Sequence, residues 1–357
     1  MKTYIKYLIN LFNVSFIKIF TVFFIIILIT NILEQIESFK DMDLSLLYLI
    51  FLSFLNTPSI LFEILPFIFL LSTQIFFIHL ISKNELEVLK YTGLNNLKII
   101  KILGLYSFIF GIILVIVFYN GSSILKNSYL LIKNSYSDDN KYLAVITENG
   151  LWIKDEINDN INIINASKVS NNYLLNVSVT RFNKDFDVIE ILQSEKVDII
   201  SKKWKIFNPI ILKGNSQSSL NEIILESNFD LQKINNLFSN LSSLSMIDLI
   251  ALRKSYMSLN YSVTDINSHL LKIASYPIYL TLITIFSAII MFNIGYQKNT
   301  FFKITLGIFL SVIIYYINNF LSVLGTNEKI PLTLSVFLPF IILSIINFIS
   351  IIKLNEK

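Results

Sequence analysis

Apolar and polar positions divide the chain into three parts. Three long apolar blocks come first, a polar segment over residues 120–267 follows, and three further apolar blocks come last. The polar segment alternates apolar and polar residues with a period of two, as at 143–146, 174–179 and 188–192, and turn-forming clusters separate these runs. Such alternation is typical of half-buried β-strands. The pattern therefore predicts a membrane part, a soluble β-domain and a second membrane part.

The apolar blocks predict six membrane-spanning helices, because a helix needs roughly 20 apolar residues to cross the hydrocarbon core. The predicted spans are residues 19–33 with the amphipathic 4–18 ahead of them, 65–81, 99–119, 270–292, 304–324 and 332–352. In the second block, Pro58 and Pro66 predict an interruption, which leaves residues 46–62 as a separate helix along or dipping into the interface.

The predicted domain boundaries follow from these blocks. Residues 1–119 hold the first three spans, 120–244 form a β-jellyroll, and 245–357 hold the remainder. An N-cap box at 245–248 predicts an amphipathic helix to about residue 259, which we expect to rest on the membrane surface as a strut. The predicted fold class is a polytopic α-helical membrane protein, with six spans arranged 3+3 around an inserted all-β domain.

Composition supports a membrane location. The chain is 54% hydrophobic with a mean hydropathy of +0.64, and the excess is concentrated in long runs. Because there is no cysteine, disulfides, thiolate metal sites and cysteine nucleophiles are excluded. The net charge of +4 comes from scattered basic residues, which give no nucleic-acid footprint.

The lysines of the short loops predict the orientation. In a six-span arrangement the basic N-terminus, the loop over 83–101, the loop over 298–303 and the C-terminus all lie on one side of the membrane. By the positive-inside rule that side is cytoplasmic. The β-domain is then periplasmic in a cell with two membranes, and both chain termini are cytoplasmic.

We find no motif for internal catalysis or energy conversion. A Walker phosphate-binding loop is missing, and His79 and His269 lack the spacing of a zinc-binding pair. No series of acidic or histidine residues crosses the bilayer to relay protons, and Glu63 is expected to be an interfacial carboxylate. We therefore expect a protein that is not an enzyme, has no cofactor and no metal site, and receives its energy from another subunit.

The segment over residues 82–93 is the most informative polar stretch. Ser82 or Asn84 can cap a short helix with two carboxylates at its start, apolar positions follow at near-helical spacing, and Gly93 can end it in a left-handed conformation. Such a helix fits a groove on a cytoplasmic partner. A solvated connecting helix explains the pattern equally well.

At these residues the chain resembles the LptF/LptG permease family of the bacterial lipopolysaccharide exporter. Residues 84–93 are similar to the family's Glu-Leu-x-x-x-(Arg/Lys)-x-x-Gly coupling helix, and residues 192–208 are similar to its jellyroll hairpin that ends in a tryptophan. Residues 269–277 and the Leu-Gly turn at 324–325 are similar to the family's patterns around its later spans. Residues 149–155 resemble a strand of the LptG branch, which we favour. The LptF branch stays open, since the two branches share most of the other features.

The resemblance implies an assembly of several proteins. It would contain a cytoplasmic ATPase dimer similar to LptB, a second six-span permease similar to LptF, and a periplasmic bridge similar to LptC and LptA. Lipopolysaccharide would enter an apolar cavity between the two permeases. By position, Glu85 would meet a basic residue of the ATPase, and the remaining coupling positions would be Leu86, Leu89, Lys90 and Gly93.

The resemblance also indicates residues that would contact lipid. Spans one and five would form lateral gates, with acyl chains or phosphates contacting Phe23, Phe24, Ile27, Lys40 and Phe309. Inside the jellyroll, an acyl-chain slot would be lined by Trp152, Val177, Val179, Ile189, Ile191 and Trp204. For each apolar residue, ordinary packing or lipid contact is an open alternative. Two other functions also stay open: a membrane scaffold or receptor with a periplasmic β-domain, and an exporter of a different lipid.

Overall fold

The structure is a computed structural model. It describes residues 3–40, 42, 44–136, 151–157, 160–170, 172–184, 186–214, 216–231, 234, 240–258, 263–293 and 300–355. The chain forms two compact units, one made of Met1–Lys126 and Thr264–Lys357 and the other of Asn127–Val263. The first unit is helical, and the second contains the β-sheet.

Nine α-helices are described. They are α1 (Thr3–Ser38), α2 (Leu46–Ser82), α3 (Glu85–Tyr91), α4 (Asn96–Ile113), α5 (Asn120–Ser135), α6 (Met246–Ser258), α7 (Thr264–Asn293), α8 (Thr300–Thr326) and α9 (Leu332–Asn355). A π-helical segment, Leu114–Tyr119, joins α4 to α5 without a break. Within the described residues, six helices are long and apolar enough to cross a membrane, namely α1, α2, the continuous α4–α5, α7, α8 and α9. The prediction of six spans around an inserted β-domain is confirmed.

The predicted interruption of α2 is wrong, because the helix continues through Pro58 and Pro66. A proline in a helix removes one N–H donor and leaves the carbonyl four residues earlier without its partner. For Pro66 that carbonyl belongs to Phe62, and the hydroxyl of Tyr276 on α7 donates a 2.5 Å hydrogen bond to it. A neighbouring helix thus satisfies the freed group, which is how membrane helices tolerate proline.

Helices α2 and α7 form the centre of the first unit. Helix α2 packs against α1, α7 and α8, while α7 also packs against α4 and α9. Most of the span residues of α2 and α7 are buried, whereas α1 and α8 have the lowest buried shares of the six. The unit therefore has two buried helices at its centre and two helices that largely face outwards.

Hydrogen bonds between helices hold this arrangement. Asn31 of α1 donates to Thr57 of α2 at 3.0 Å, and Ser287 of α7 donates to the Leu70 carbonyl of α2 at 2.8 Å. Gln74 of α2 donates to a carbonyl of α8 at 3.0 Å. Inside a membrane, such hydrogen bonds and close packing drive the association of helices, whereas in water the hydrophobic effect drives it.

Glycine allows the closest approach between α4 and α7. A Cβ atom added to Gly111 would lie 2.9 Å from the Cα atom of Pro277, and one added to Gly104 would lie 3.3 Å from the Ile285 side chain. Ser107, between these glycines, is fully buried. Small residues seven apart on one helix face therefore bring the two backbones together.

The second unit contains eight strands, all paired antiparallel. They are β1 (Leu151–Ile157), β2 (Asn160–Ser170), β3 (Tyr173–Phe182), β4 (Val188–Asp198), β5 (Lys203–Phe207), β6 (Ile210–Lys213), β7 (Ser216–Ser219) and β8 (Glu222–Glu226). The main path is β1-β2-β3-β4-β5-β8. Strand β4 pairs with β5 through residues 196–198 and with β6 through residues 191–193, so the sheet divides there.

One face of the sheet is the core of this unit. The register places Ile153, Ile164, Val179 and Leu192 side by side across β1 to β4, and all four are buried. Trp204 of β5 lies in the same cluster, fully buried, and its indole nitrogen donates to the Phe229 carbonyl at 2.8 Å. The predicted strands at 174–179 and 188–192 are confirmed, while the predicted run at 143–146 lies outside the described residues.

Asp155 connects β1 to the chain that leaves β8. It is fully buried and accepts hydrogen bonds from the Ser227 hydroxyl at 2.7 Å and from the backbone and side-chain nitrogens of Asn228 at 3.0 and 2.8 Å. Strands β1 and β8 are the two ends of the strand path. The sheet is therefore curved so strongly that its ends meet through one carboxylate.

The predicted cap of α6 is formed as expected. The Ser245 hydroxyl donates to the Asp248 carboxylate at 2.6 Å, and the Asp248 backbone nitrogen donates back to that hydroxyl at 3.3 Å. This reciprocal pair fixes the start of the helix.

Candidate functional site

Helix α3 connects α2 to α4 in a tight arrangement. Asn84 precedes it in the left-handed region, with φ of 56°, and its side chain makes no capping bond. The Ser82 hydroxyl donates to the His79 carbonyl instead, so neither predicted cap forms. Gly93 has the predicted left-handed conformation, with φ of +86°, and its carbonyl accepts from the Lys98 ammonium at 3.1 Å.

The two faces of α3 differ in exposure. Leu86 is buried and Leu89 is partly buried, which attaches the helix to the rest of the unit. Lys90 is exposed, and the open face carries Val88 and Tyr91, whose side chains are 60% and 89% exposed. A short helix with an acidic start thus presents an apolar and aromatic surface that nothing in the described structure covers.

The Glu85 carboxylate is held by another helix. The hydroxyl of Tyr7, in the second turn of α1, donates to its Oε2 atom. The two residues are 78 positions apart in the chain. Glu85 therefore lies where α3 meets the first turns of α1.

The first half of α1 is fixed to the helical unit. Leu8 and Phe12 are fully buried, and the Phe12 ring packs 6.0 Å from Phe69 and 5.8 Å from Tyr106 between centroids. The Tyr106 hydroxyl also donates to the Asn13 side chain at 2.5 Å. The start of α1 is thus connected to α2, α3 and α4.

The predicted cavity residues lie in different surroundings. Phe23 and Phe24 pack against Phe67 and Phe54 of α2 at 5.3 and 6.0 Å between ring centroids. Ile27 is also buried. Lys40 is exposed just after α1, and Phe309 is 63% exposed on α8. The three α1 residues therefore pack within this chain, whereas the side chains of Lys40 and Phe309 are exposed.

One face of α8 is open along its whole length. Residues on it follow helical spacing and are all exposed: Phe301, Thr305, Phe309, Val312, Tyr316, Asn319 and Val323. Tyr316 is 66% exposed, and the amide of Asn319 lies one turn further along the same face. An amide and a phenol on a mostly apolar face need polar partners inside a membrane.

A charged cluster surrounds Glu63 at the junction of α2, α5 and α7. The ammonium groups of Lys126 and Lys272 both interact electrostatically with the Glu63 carboxylate. Beside them the Tyr119 hydroxyl and the His269 Nε2 atom are 3.0 Å apart. Lys272 also interacts with the Asp265 carboxylate, so the cluster holds two ammonium groups and two carboxylates. Its ammonium groups can contact an anion at short range.

The predicted jellyroll slot is divided between the two faces of the sheet. Val177, Val179 and Trp204 are buried in the core. Trp152 is 56% exposed, because its neighbours Leu151 and Ile153 occupy the core face and successive residues of a strand alternate.

The two isoleucines of β4 are also outside this core. Ile191 pairs with Thr180 on the face opposite Leu192, and Ile189 lies at the register shift between β3 and β4. The structure thus brings together three of the six predicted slot residues.

Sequence reasoning missed Tyr7, Lys126, Lys272 and Asn319. The signal for Asn319 was present, since an amide inside an apolar run is unusual. Lys126 follows the predicted span over 99–119, and Lys272 lies at the start of the predicted span over 270–292. Lysines at the ends of spans can extend to the membrane surface, which could have indicated both residues as contacts for lipid head groups. Nothing in the sequence pairs Tyr7 with Glu85.

Comparison with known proteins agrees with this architecture. The family model described as "Lipopolysaccharide export system permease LptF/LptG" matches residues 6–353. No curated protein matches the chain.

Proposed function

The chain belongs to the LptF/LptG family of lipopolysaccharide export permeases, and from that membership we propose that it extracts lipopolysaccharide from the inner membrane and passes it to a periplasmic bridge. It is a multi-pass membrane protein. In this proposal both termini are cytoplasmic, the β-unit is periplasmic, and ATP is hydrolysed by a partner dimer similar to LptB.

The open face of α8 is the observation that carries the proposal. Asn319 and Tyr316 are exposed on a helix that crosses the membrane. Leaving such groups in hydrocarbon is costly, so polar residues within spans face other helices or aqueous cavities. The face therefore needs a cover, and we propose the second permease together with the lipid that enters between the two.

The open surface of α1 supports the same arrangement. Its outward residues are large and apolar, and Ile25, Ile29 and Leu33 are each at least half exposed. Helices α1 and α8 are the two least buried spans. We propose that they form the lateral gates of the cavity, with Phe309 next to acyl chains.

The charged cluster is the proposed contact for the lipid phosphates. Lys126 and Lys272 supply two ammonium groups beside Glu63, and Asp265 also interacts with Lys272. Lys40 is exposed and can add a further cation. Charge-assisted contacts to phosphate are about twice as strong as neutral hydrogen bonds.

Coupling to ATP hydrolysis is proposed to occur through α3. Glu85, Leu86, Leu89, Lys90 and Gly93 lie on or next to this helix, which has an exposed apolar and acidic surface. A helix of this kind fits a partner groove that carries a basic residue.

The interior of the β-sheet is the proposed onward path for acyl chains. Its core residues are closely packed and its ends are joined by Asp155. Passage of lipid through this interior would require the sheet to open. Edge pairing with a bridge protein similar to LptC or LptA would then extend the path.

The decisive experiment is purification of this chain from its native membrane in a gentle detergent, with proteins and lipids identified by mass spectrometry. The proposal predicts an ATPase subunit, a second six-span permease and a lipid A species. Reconstituted complex should then release lipopolysaccharide to an acceptor only when ATP is present. Recovery of a periplasmic partner alone would favour a scaffold or receptor, and recovery of another lipid would favour a different exporter.

A further inference from the structure

Tyr7 connects two helices that the proposed function assigns to different tasks. Helix α3 would contact the ATPase, and α1 would be a gate. The Tyr7 hydroxyl donates to the Glu85 carboxylate, so a direct bond joins the first turns of α1 to the first turn of α3.

The bond leaves part of the carboxylate available. Tyr7 donates to Oε2, and within the described ranges no hydrogen bond or salt bridge to Oε1 is formed. Both residues are accessible, since Tyr7 is 39% exposed and Glu85 is partly exposed. One oxygen can therefore be held by Tyr7 while the other meets a basic side chain of a partner.

Helix α3 needs contacts with neighbouring helices to hold its position and direction. Seven residues are too few to be stable alone in water. Asn84 contributes no side-chain cap, and Leu86 is its only fully buried side chain among the described residues. Leu86 fixes the position of α3, but an apolar contact is not directional, whereas the hydrogen bond fixes the direction of the Glu85 carboxylate.

The first turns of α1 can carry a displacement further. Leu8 and Phe12 are fully buried, and an α-helix transmits an axial or tilting movement along its length because its backbone bonds are continuous. A shift of α3 at Glu85 would reach the α1 backbone through one side chain.

We propose that Tyr7 is a positioning residue of the transport cycle: it orients Glu85 for the ATPase and passes the movement of α3 to α1. This inference rests on the proposed function, because it presumes that α3 meets an ATPase. It adds the N-terminal turns of α1 to the surface on which that subunit acts.

The test compares Tyr7→Phe with Tyr4→Phe in the full complex. Phenylalanine removes only the hydroxyl, and Tyr4 lies one turn earlier on the same helix. We expect Tyr7→Phe to retain the ATPase subunit and its ATP hydrolysis while ATP-dependent lipid release falls by about fivefold or more, the lower end of coupling between sites. Tyr4→Phe should behave as the unchanged protein.

A distance measurement separates transmission from a general loss of structure. Because the chain has no cysteine, cysteines introduced at Leu33 and Leu334 would be its only sites for spin labelling. Both positions are more than half exposed. ATP with vanadate should shift the distance between these labels in the Tyr4→Phe background, and the shift should be lost with Tyr7→Phe.

The outcomes are distinguishable through Glu85→Lys. If Glu85→Lys keeps both the ATPase subunit and lipid release, the proposed coupling helix and this inference fail together. If Glu85→Lys loses the ATPase subunit while Tyr7→Phe matches Tyr4→Phe in release and in label distance, only the role of Tyr7 is overturned.

Discussion

Tyr276 donates its hydroxyl hydrogen to the Phe62 carbonyl, the group that Pro66 leaves without an intrahelical donor. The two rings also stack at 4.5 Å between centroids. One side chain of α7 thus both packs on α2 and satisfies its backbone at the proline.

Tyr276→Phe should destabilise the helical unit by about 1–3 kcal/mol, the cost of an unsatisfied buried polar group. The ring stacking is kept, so the loss reports the hydroxyl. Pro66→Ala restores the N–H donor, and in that background Tyr276→Phe should cost clearly less. Thermal unfolding in detergent measures both. An equal cost in the two backgrounds would show that the hydroxyl does not act through this carbonyl.

Glu85→Lys should leave the protein inserted but separate it from its ATPase. Truncating a desolvated charge pair costs about 2–5 kcal/mol, and reversing the charge adds repulsion. The readout is the amount of ATPase subunit recovered per permease. Glu87→Lys, at an exposed position of the same turn, is the matched control, and a similar loss there would indicate a general charge effect.

Asp155→Ala should open the β-unit where its two end strands meet. Three donors from Ser227 and Asn228 lose their acceptor, at about 1–3 kcal/mol for each one left unsatisfied. Hydrogen exchange of the full chain should rise in β1 and after β8. Asp187→Ala removes an exposed carboxylate and should change exchange only locally.

The two tryptophans report opposite faces of the sheet. With Trp152 replaced by Phe, the remaining Trp204 emission should lie at shorter wavelength and resist acrylamide, because that ring is fully buried. With Trp204 replaced, the exposed Trp152 should be quenched readily. If acyl chains enter the interior, lipopolysaccharide should alter Trp204 emission alone, and an unchanged Trp204 signal during transport would exclude that path.

Lys272→Gln should weaken binding of lipopolysaccharide by about tenfold, as expected for a charge-assisted contact of about 1.5 kcal/mol. It should have little effect on lipid A from which the phosphates have been removed. Lys329→Gln, at an exposed loop position, serves as control. Equal weakening for both lipids would assign Lys272 to packing.

The six spans and the inserted β-domain could be predicted because long apolar runs indicate membrane helices and period-two runs indicate half-buried strands. The prediction failed where the local structure depends on a side chain from a distant part of the sequence. Pro66 is compatible with a continuous α2 only because Tyr276 supplies a donor. The prediction that Trp152 lines the interior of the sheet was wrong for another reason. Composition alone does not distinguish an exposed aromatic ring on an alternating strand from a buried one.

The candidate site was predicted in the same uneven way. Residues 84–93 were identified because their pattern is local and the helix has its predicted position. The bond between Tyr7 and Glu85 joins positions 78 apart and leaves no local pattern. The open face of α8 could have been predicted from helical spacing, but its exposure depends on which faces α2 and α7 cover.

The bond from Ser287 to the Leu70 carbonyl has a consequence for synthesis of the protein. The two residues are 217 positions apart, so at roughly 5–20 residues per second Leu70 is synthesised about 10–40 s before Ser287. During that interval the Phe62 carbonyl also lacks the Tyr276 hydroxyl. Until α7 is made, the incomplete chain therefore leaves this carbonyl without its donor in the bilayer, and the length of the β-unit between the two halves sets the duration of that exposure.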